Sequence, residues 1–180
     1  MVHSFKDLGV VISSRRYSEA DRILTLFTKG KGKMVVVAKG VRKLTSRKRG
    51  SLEVLNEISF SAVSGKGMGI IVEVSLLNDF GKVKKDLKKA AVSYFMMEAV
   101  MKLTREDEPH EEVYQIIVSG LKELSKTKNL KSFRDEFSKK ILSALGFWDK
   151  EKELASPDEL MSQVSERDFG SIRVGKKIAQ

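Results

Sequence analysis

Between Lys29 and Arg49 the chain places nine basic side chains (Lys29, Lys31, Lys33, Lys39, Arg42, Lys43, Arg47, Lys48 and Arg49) and no acidic one. Cations at that density attract a polyanion, because each phosphate they neutralise releases a condensed counterion. The bland alternative is a solvated, solubilising face; concentration of the charge into one 21-residue window favours nucleic acid. An anionic membrane fits less well, because the window lacks the amphipathic helical pattern of surface anchors. The net charge of +10 is also uneven, with 14 Lys/Arg against 7 Asp/Glu in residues 1–80 and 20 against 17 in residues 81–180. Arg15, Arg16, Tyr17 and Arg22 add a second basic group with an aromatic among them. Tyr17 or Phe60 could stack a base, a contact worth roughly 1–3 kcal/mol. A half-buried turn residue is the competing role for Tyr17, and the core for Phe60.

Catalytic chemistry finds no such support. With no cysteine, the chain has no disulfide, no thiolate nucleophile and no cysteine-ligated metal. Its two histidines, His3 and His110, are far apart in sequence. Asp107-Glu108-Pro109-His110-Glu111-Glu112 reads as the acidic first turn of a helix, where carboxylates complement the dipole. Asp168-Phe169-Gly170 has none of the companion motifs of a kinase, and neither Gly30-Lys31-Gly32 nor Gly65-Lys66-Gly67-Met68-Gly69 matches a P-loop. The reading is a non-enzymatic binding protein without a cofactor. No apolar run reaches the roughly 20 residues of a membrane span. Met1–Asp7 lacks a signal-peptide layout, so a cytoplasmic location is expected.

The elements that must carry these cations change type near residue 80. Before it the pattern is that of strands: Leu8–Ser13, Arg22–Thr28, Lys33–Lys39, Ser51–Val63 and Ile70–Leu77. Lys29-Gly30-Lys31-Gly32 and the glycine-rich Ser64–Gly69 serve as tight turns. Five short strands with such turns suit a small closed barrel better than a sandwich. After residue 80 the apolar period is helical. One long helix is expected to bury a stripe that includes Val83, Leu87, Tyr94, Phe95, Met97, Val100 and Leu103. Helices over Glu111–Leu124 and Lys131–Leu145 follow, the latter ended by Gly146, and Ser156-Pro157 opens a short fourth. The last dozen residues are expected to be loosely held. The expected division is residues 1–80 and 81–180.

Several segments, in order, resemble one family. Gly9–Ile12, Arg16–Thr28, Gly32-Lys33-Met34, Ala38–Lys43 and Ser46–Leu52 are similar to the N-terminal domain of RecO, the bacterial recombination mediator. Phe133-Arg134 through Leu145-Gly146-Phe147 resembles that family's helical domain, and Ser165-Glu166-Arg167 with Ser171-Ile172-Arg173 is similar to its C-terminal end. The resemblance implies an α+β protein, a five-stranded OB-fold barrel followed by an all-α helical domain. It also implies a role in DNA repair and homologous recombination: binding single- and double-stranded DNA, annealing complementary strands, and acting with RecR to load RecA on SSB-coated DNA in the nucleoid. Many members carry a four-cysteine zinc site after the third helix; here Trp148–Glu153 stands in its place, so no zinc finger is expected. The chain is also shorter than typical members.

By role, Arg15, Arg16, Lys39, Arg42, Lys43, Arg47, Lys48 and Arg49 are assigned to phosphates. Arg22 is divided between DNA and an ion pair with Glu19 or Asp21. The resemblance places the SSB C-terminal tail near Phe133, Arg134 and Phe137, with Arg134 as the cation for its acidic end and the phenylalanines in the core. An RNA- or ribosome-binding OB protein and an OB adaptor that docks an acidic protein remain as alternatives.

Overall fold

The computed structural model describes residues 3–64, 67–154 and 156–165. Gly65 and Lys66 of the second turn, and the C-terminal segments Glu166-Arg167 and Ser171-Ile172-Arg173, lie outside them. So do Asp168-Phe169-Gly170 and the last dozen residues. The chain divides into two compact units, Met1–Asp79 with Glu106–Tyr114, and Phe80–Arg105 with the residues from Gln115 onward. The return of Glu106–Tyr114 to the first unit has no signature in the hydrophobic pattern.

The first unit is a barrel of β1 (His3–Arg16), β2 (Arg22–Thr28), β3 (Gly32–Ala38), β4 (Glu57–Ser64) and β5 (Gly69–Asn78). The strand order β1-β2-β3-β5-β4 closes because β4 pairs with both β5 and β1, and β3 meets β5 in parallel at Val36 and Val37. β1 is longer than its apolar stretch Leu8–Ser13. Its first half pairs with β4 and its second half with β2, and a register shift between Val11 and Ser13 lets the strand curl from one to the other. Inward-facing Val11, Leu24, Leu26, Val36, Ile58 and Phe60 fill the interior. Phe60 is 2% exposed and meets Phe5 edge-on at 6.1 Å between centroids, so it is core and not a base-stacking platform.

Two features of this unit depart from the sequence pattern. The alternating stretch from Ser51 does not enter β4 until Glu57. Its apolar residues instead fold back as turns, with Leu52 and Leu55 buried in the barrel and Leu55 in the left-handed region at φ 76°. The buried Asn56 side chain holds that turn by donating to the Gly50 and Ser51 carbonyls at 2.9 and 3.0 Å. Gly32, at φ +69°, is also closely approached: a Cβ there would overlap the carbonyl oxygen of Glu108. Only glycine lets the Glu106–Tyr114 segment lie across the hairpin, where the Asp107 amide donates to the Lys33 carbonyl at 2.9 Å.

In the second unit the expected single helix is interrupted. α1 (Gly81–Lys84) stops, and α2 (Leu87–Leu103) restarts because the Asp86 side chain accepts from the Lys88 and Lys89 amides. The buried face of α2 turns accordingly. Leu87 and Tyr94, one heptad apart, are 69% and 55% exposed, whereas Ser93, Met96 and Ala99 are buried. Ser93 tolerates burial because its hydroxyl donates to the Ala90 carbonyl at 2.7 Å. α3 (Glu111–Leu124), α4 (Leu130–Ala144) and α5 (Pro157–Ser165) follow, with Phe133 and Phe137 in the core as expected. Where the resemblance would put a zinc site, the Trp148 indole donates to the Lys152 carbonyl at 3.1 Å and closes a small turn.

Candidate nucleic-acid interface

The structure splits the basic window in two. Lys29, Lys31 and Lys33 sit at the β2–β3 hairpin, and each is engaged there. Lys29 pairs with Glu111 at 3.2 Å, and Lys31 lies over the Phe5 ring at 4.7 Å. Lys33 is buried, which lowers its pKa, an effect opposed by Glu106. The remaining cations, Lys39 to Arg49, lie past the other end of β3, which at about 3.3 Å per residue is some 20 Å away. They occupy the connection from Ala38 to Glu57, a series of turns anchored inward by Val41, Leu52 and Leu55.

Strand register brings this connection together with the β1–β2 corner. Arg16 stands opposite Arg22, and Arg22 opposite Ala38, so the three strand ends form one row. Arg15, Arg16 and Tyr17 are therefore neighbours of Lys39 across the end of the sheet. Arg15, Arg16, Lys39, Lys43, Arg47 and Arg49 are all exposed, and Tyr17 is 58% exposed. None of these six cations forms an ion pair of 4 Å or less among the described residues.

Three other basic residues at this end have protein partners. Arg22 pairs with Glu53 at 3.6 Å, not with Glu19 or Asp21, because its strand position points it toward the returning connection. The Arg42 guanidinium donates through Nη1 to the Ser18 and Glu19 carbonyls, both at 2.8 Å. Lys48 Nζ is 3.5 Å from the Ile71 carbonyl on β5. Asp21 accepts from the Gly40 amide at 2.7 Å. That bond holds its carboxyl below the ordinary carboxylate value; burial opposes the shift, and Ser18, Lys39 and Lys43 reinforce it. Asp21 and the pinning role of Arg42 were missed from the sequence. Spacing carries no sign of them, since the corner and the connection are some twenty residues apart in the chain.

Arg134 stands by itself in the second unit. Its Nη2 reaches both Asp158 carboxylate oxygens at 2.7 and 2.6 Å, and its guanidinium lies 4.3 Å from the Phe95 ring centroid. His110 is 3.5 Å from Glu108, and Glu111 is taken by Lys29. No group of three His, Asp or Glu side chains that could hold a metal occurs among the described residues, so a zinc site of the cysteine type does not fit this chain. Among the described residues no helix is long and apolar enough to cross a membrane.

A closed five-stranded barrel with exposed cations and an exposed tyrosine at one end defines the class: an OB-fold protein with a surface suited to a polyanion. The family model described as "Recombination protein O N terminal" matches residues 1–80, and "Recombination protein O C terminal" matches residues 84–148. The chain belongs to the RecO family, a DNA repair and recombination family. It is 31% identical over 144 residues to the DNA repair protein RecO of Acetivibrio thermocellus, covering 79% of this chain and 57% of the relative. The DNA repair protein RecO of Moorella thermoacetica is 29% identical over 120 residues, covering 67% of this chain and 45% of the relative. That of Listeria welshimeri is 25% identical over 140 residues, covering 78% and 55%. The chain thus spans about half the length of the curated relatives it matches.

Proposed function

We propose that this protein is a non-enzymatic DNA-binding mediator of recombinational repair, which grips the sugar–phosphate backbone with the barrel end described above. The observation that carries the reading is the set of six exposed cations, without an ion pair among the described residues, at the junction of the β1–β2 corner and the Lys39–Arg49 connection. Such a surface supplies affinity without reading sequence, because phosphates are the same at every step. Neutralising two strands at once also permits annealing, which otherwise brings like charges together. The exposure of Tyr17 beside these cations supports a stacking contact with an unpaired base.

The partners follow the family. RecR, the SSB C-terminal tail and, indirectly, RecA are the proposed partners, with single- and double-stranded DNA as substrates and the cytoplasmic nucleoid as the location. At Arg134 an acidic tail would have to exchange with Asp158, since that carboxylate already takes the guanidinium. A strand-annealing assay with and without SSB tests the reading. Acceleration of annealing on bare strands and retention of activity on SSB-coated strands support it; absence of acceleration on bare strands refutes it. Comparison of matched DNA and RNA strands separates it from RNA binding, and pull-down of RecR from nuclease-treated extract tests the partner assignment.

A further inference from the structure

The entry to the basic connection is fastened to the β1–β2 corner at more than one point. The Gly40 amide donates to the Asp21 carboxylate at 2.7 Å, and the Arg42 amide to the Ala20 carbonyl at 2.9 Å. The Arg42 side chain closes over the same corner on the Ser18 and Glu19 carbonyls. Within the corner the Tyr17 amide donates to the Asp21 carbonyl at 3.2 Å. Gly40 takes φ +67°, which turns the chain back toward Asp21. An acidic side chain at this place is otherwise costly for a polyanion-binding surface. Arg15, Arg16, Lys39 and Lys43 are near in strand register or sequence, and a carboxylate beside them subtracts from their field.

We propose that Asp21 and Arg42 are positioning residues: they latch the basic connection to the β1–β2 corner, so that the exposed cations form a pre-set array for a nucleic-acid backbone. Arg42, in this assignment, spends its fork on main-chain carbonyls and is not a phosphate contact. The inference rests on the DNA-binding reading above and adds to it the residues that fix the geometry of the site. Physically, a latched connection binds without first being ordered, and that ordering cost does not depend on salt. A lost phosphate contact, by contrast, changes the salt dependence itself.

The two effects give opposite signs at Asp21. On charge alone, Asp21→Ala removes a repulsive carboxylate and tightens DNA binding. As a latch, Asp21→Ala weakens binding to an unstructured single-stranded oligonucleotide by about threefold to tenfold at every salt concentration, leaving the slope of log affinity against log salt unchanged. Asp21→Asn keeps an oxygen to accept from Gly40 and recovers most of that loss. Arg42→Lys keeps the charge but cannot bridge two carbonyls with a planar fork, so it too weakens binding with the slope unchanged. Lys43→Ala, a contact control, reduces the magnitude of the slope by about 0.7.

Full-length proteins with thermal midpoints close to wild type are compared; if Asp21→Ala does not fold, Asp21→Asn and Arg42→Lys carry the test. Faster hydrogen exchange at the Gly40 amide in Asp21→Ala or Arg42→Lys, with barrel amides unchanged, supports the latch independently. Affinity of Asp21→Ala at or above wild type overturns the proposal, as does an Arg42→Lys variant that binds like wild type. If wild type itself shows no salt-dependent binding, the DNA-binding reading fails and the latch falls with it.

Discussion

Removal of Lys43, Arg47 and Arg49 together is the perturbation that most directly tests the proposed interface. All three are exposed and have no ion pair among the described residues, whereas Arg42 and Lys48 in the same connection already bond to main-chain carbonyls. Counting Arg15, Arg16 and Lys39 as well, six contacts at ~0.7 each give a slope of about −4.2 for log affinity against log salt on single-stranded DNA. The triple alanine variant keeps three contacts and a slope of about −2.1. Extrapolated from a common value at 1 M salt, that difference is a loss of about a hundredfold in affinity at 0.1 M. Because no ion pair among the described residues and no buried atom is removed, stability changes by at most about 0.5 kcal/mol. Fluorescence anisotropy of a labelled oligonucleotide across a salt series, with thermal melting as control, measures both quantities. The loss is expected to be equal for oligonucleotides of different sequence, since phosphate contacts read none. An unchanged slope in a folded triple variant refutes the assignment of these cations to DNA.

Four further outcomes are expected. Gly32→Ala combines a left-handed backbone with overlap on the Glu108 carbonyl, and costs about 2–4 kcal/mol in urea unfolding. Tyr114→Phe removes the hydroxyl that donates to Glu57 at 3.0 Å, a loss of about 1 kcal/mol near neutral pH. Burial first, and then Glu57, raise the Tyr114 pKa above its ordinary value. Its contribution is therefore complete below the unfolded pKa of about 10 and declines as pH rises toward the folded value, so the stability gap between wild type and Tyr114→Phe narrows in alkali. Arg134→Ala breaks the Asp158 pair and uncovers Phe95, lowering stability by about 1–2 kcal/mol and weakening an SSB-tail peptide in calorimetry while bare-strand annealing is kept. A chelator leaves the thermal midpoint and DNA affinity unchanged, because there is no cysteine and His3 and His110 lie far apart in the chain; a stoichiometric zinc in the purified protein contradicts this.

The sequence by itself determined the element types, because apolar period and glycine turns are local properties. β2, β3 and β5, and the helices over Glu111–Leu124 and Leu130–Ala144, end within a residue or so of where pattern and caps place them. It also determined the sign and rough place of the charge, and the absence of thiol chemistry. The tertiary structure decided which cations are available. Lys29, Lys31 and Lys33 belong to the same basic run as Arg47 and Arg49, yet a seven-residue strand separates them, and the returning Glu106–Tyr114 segment brings Glu106 and Glu111 to the hairpin. Arg42 looks like any other loop arginine until the chain places the Ser18 and Glu19 carbonyls against it. Leu87 and Tyr94 fit an amphipathic stripe, but Asp86 restarts the helix and turns that face to solvent. At Leu87 and Tyr94 the deciding group is the adjacent Asp86 cap; for the cations the deciding partner is distant in sequence or is a main-chain atom. Neither leaves a mark in residue type or spacing, so only closure of the barrel and packing of the helices could reveal it.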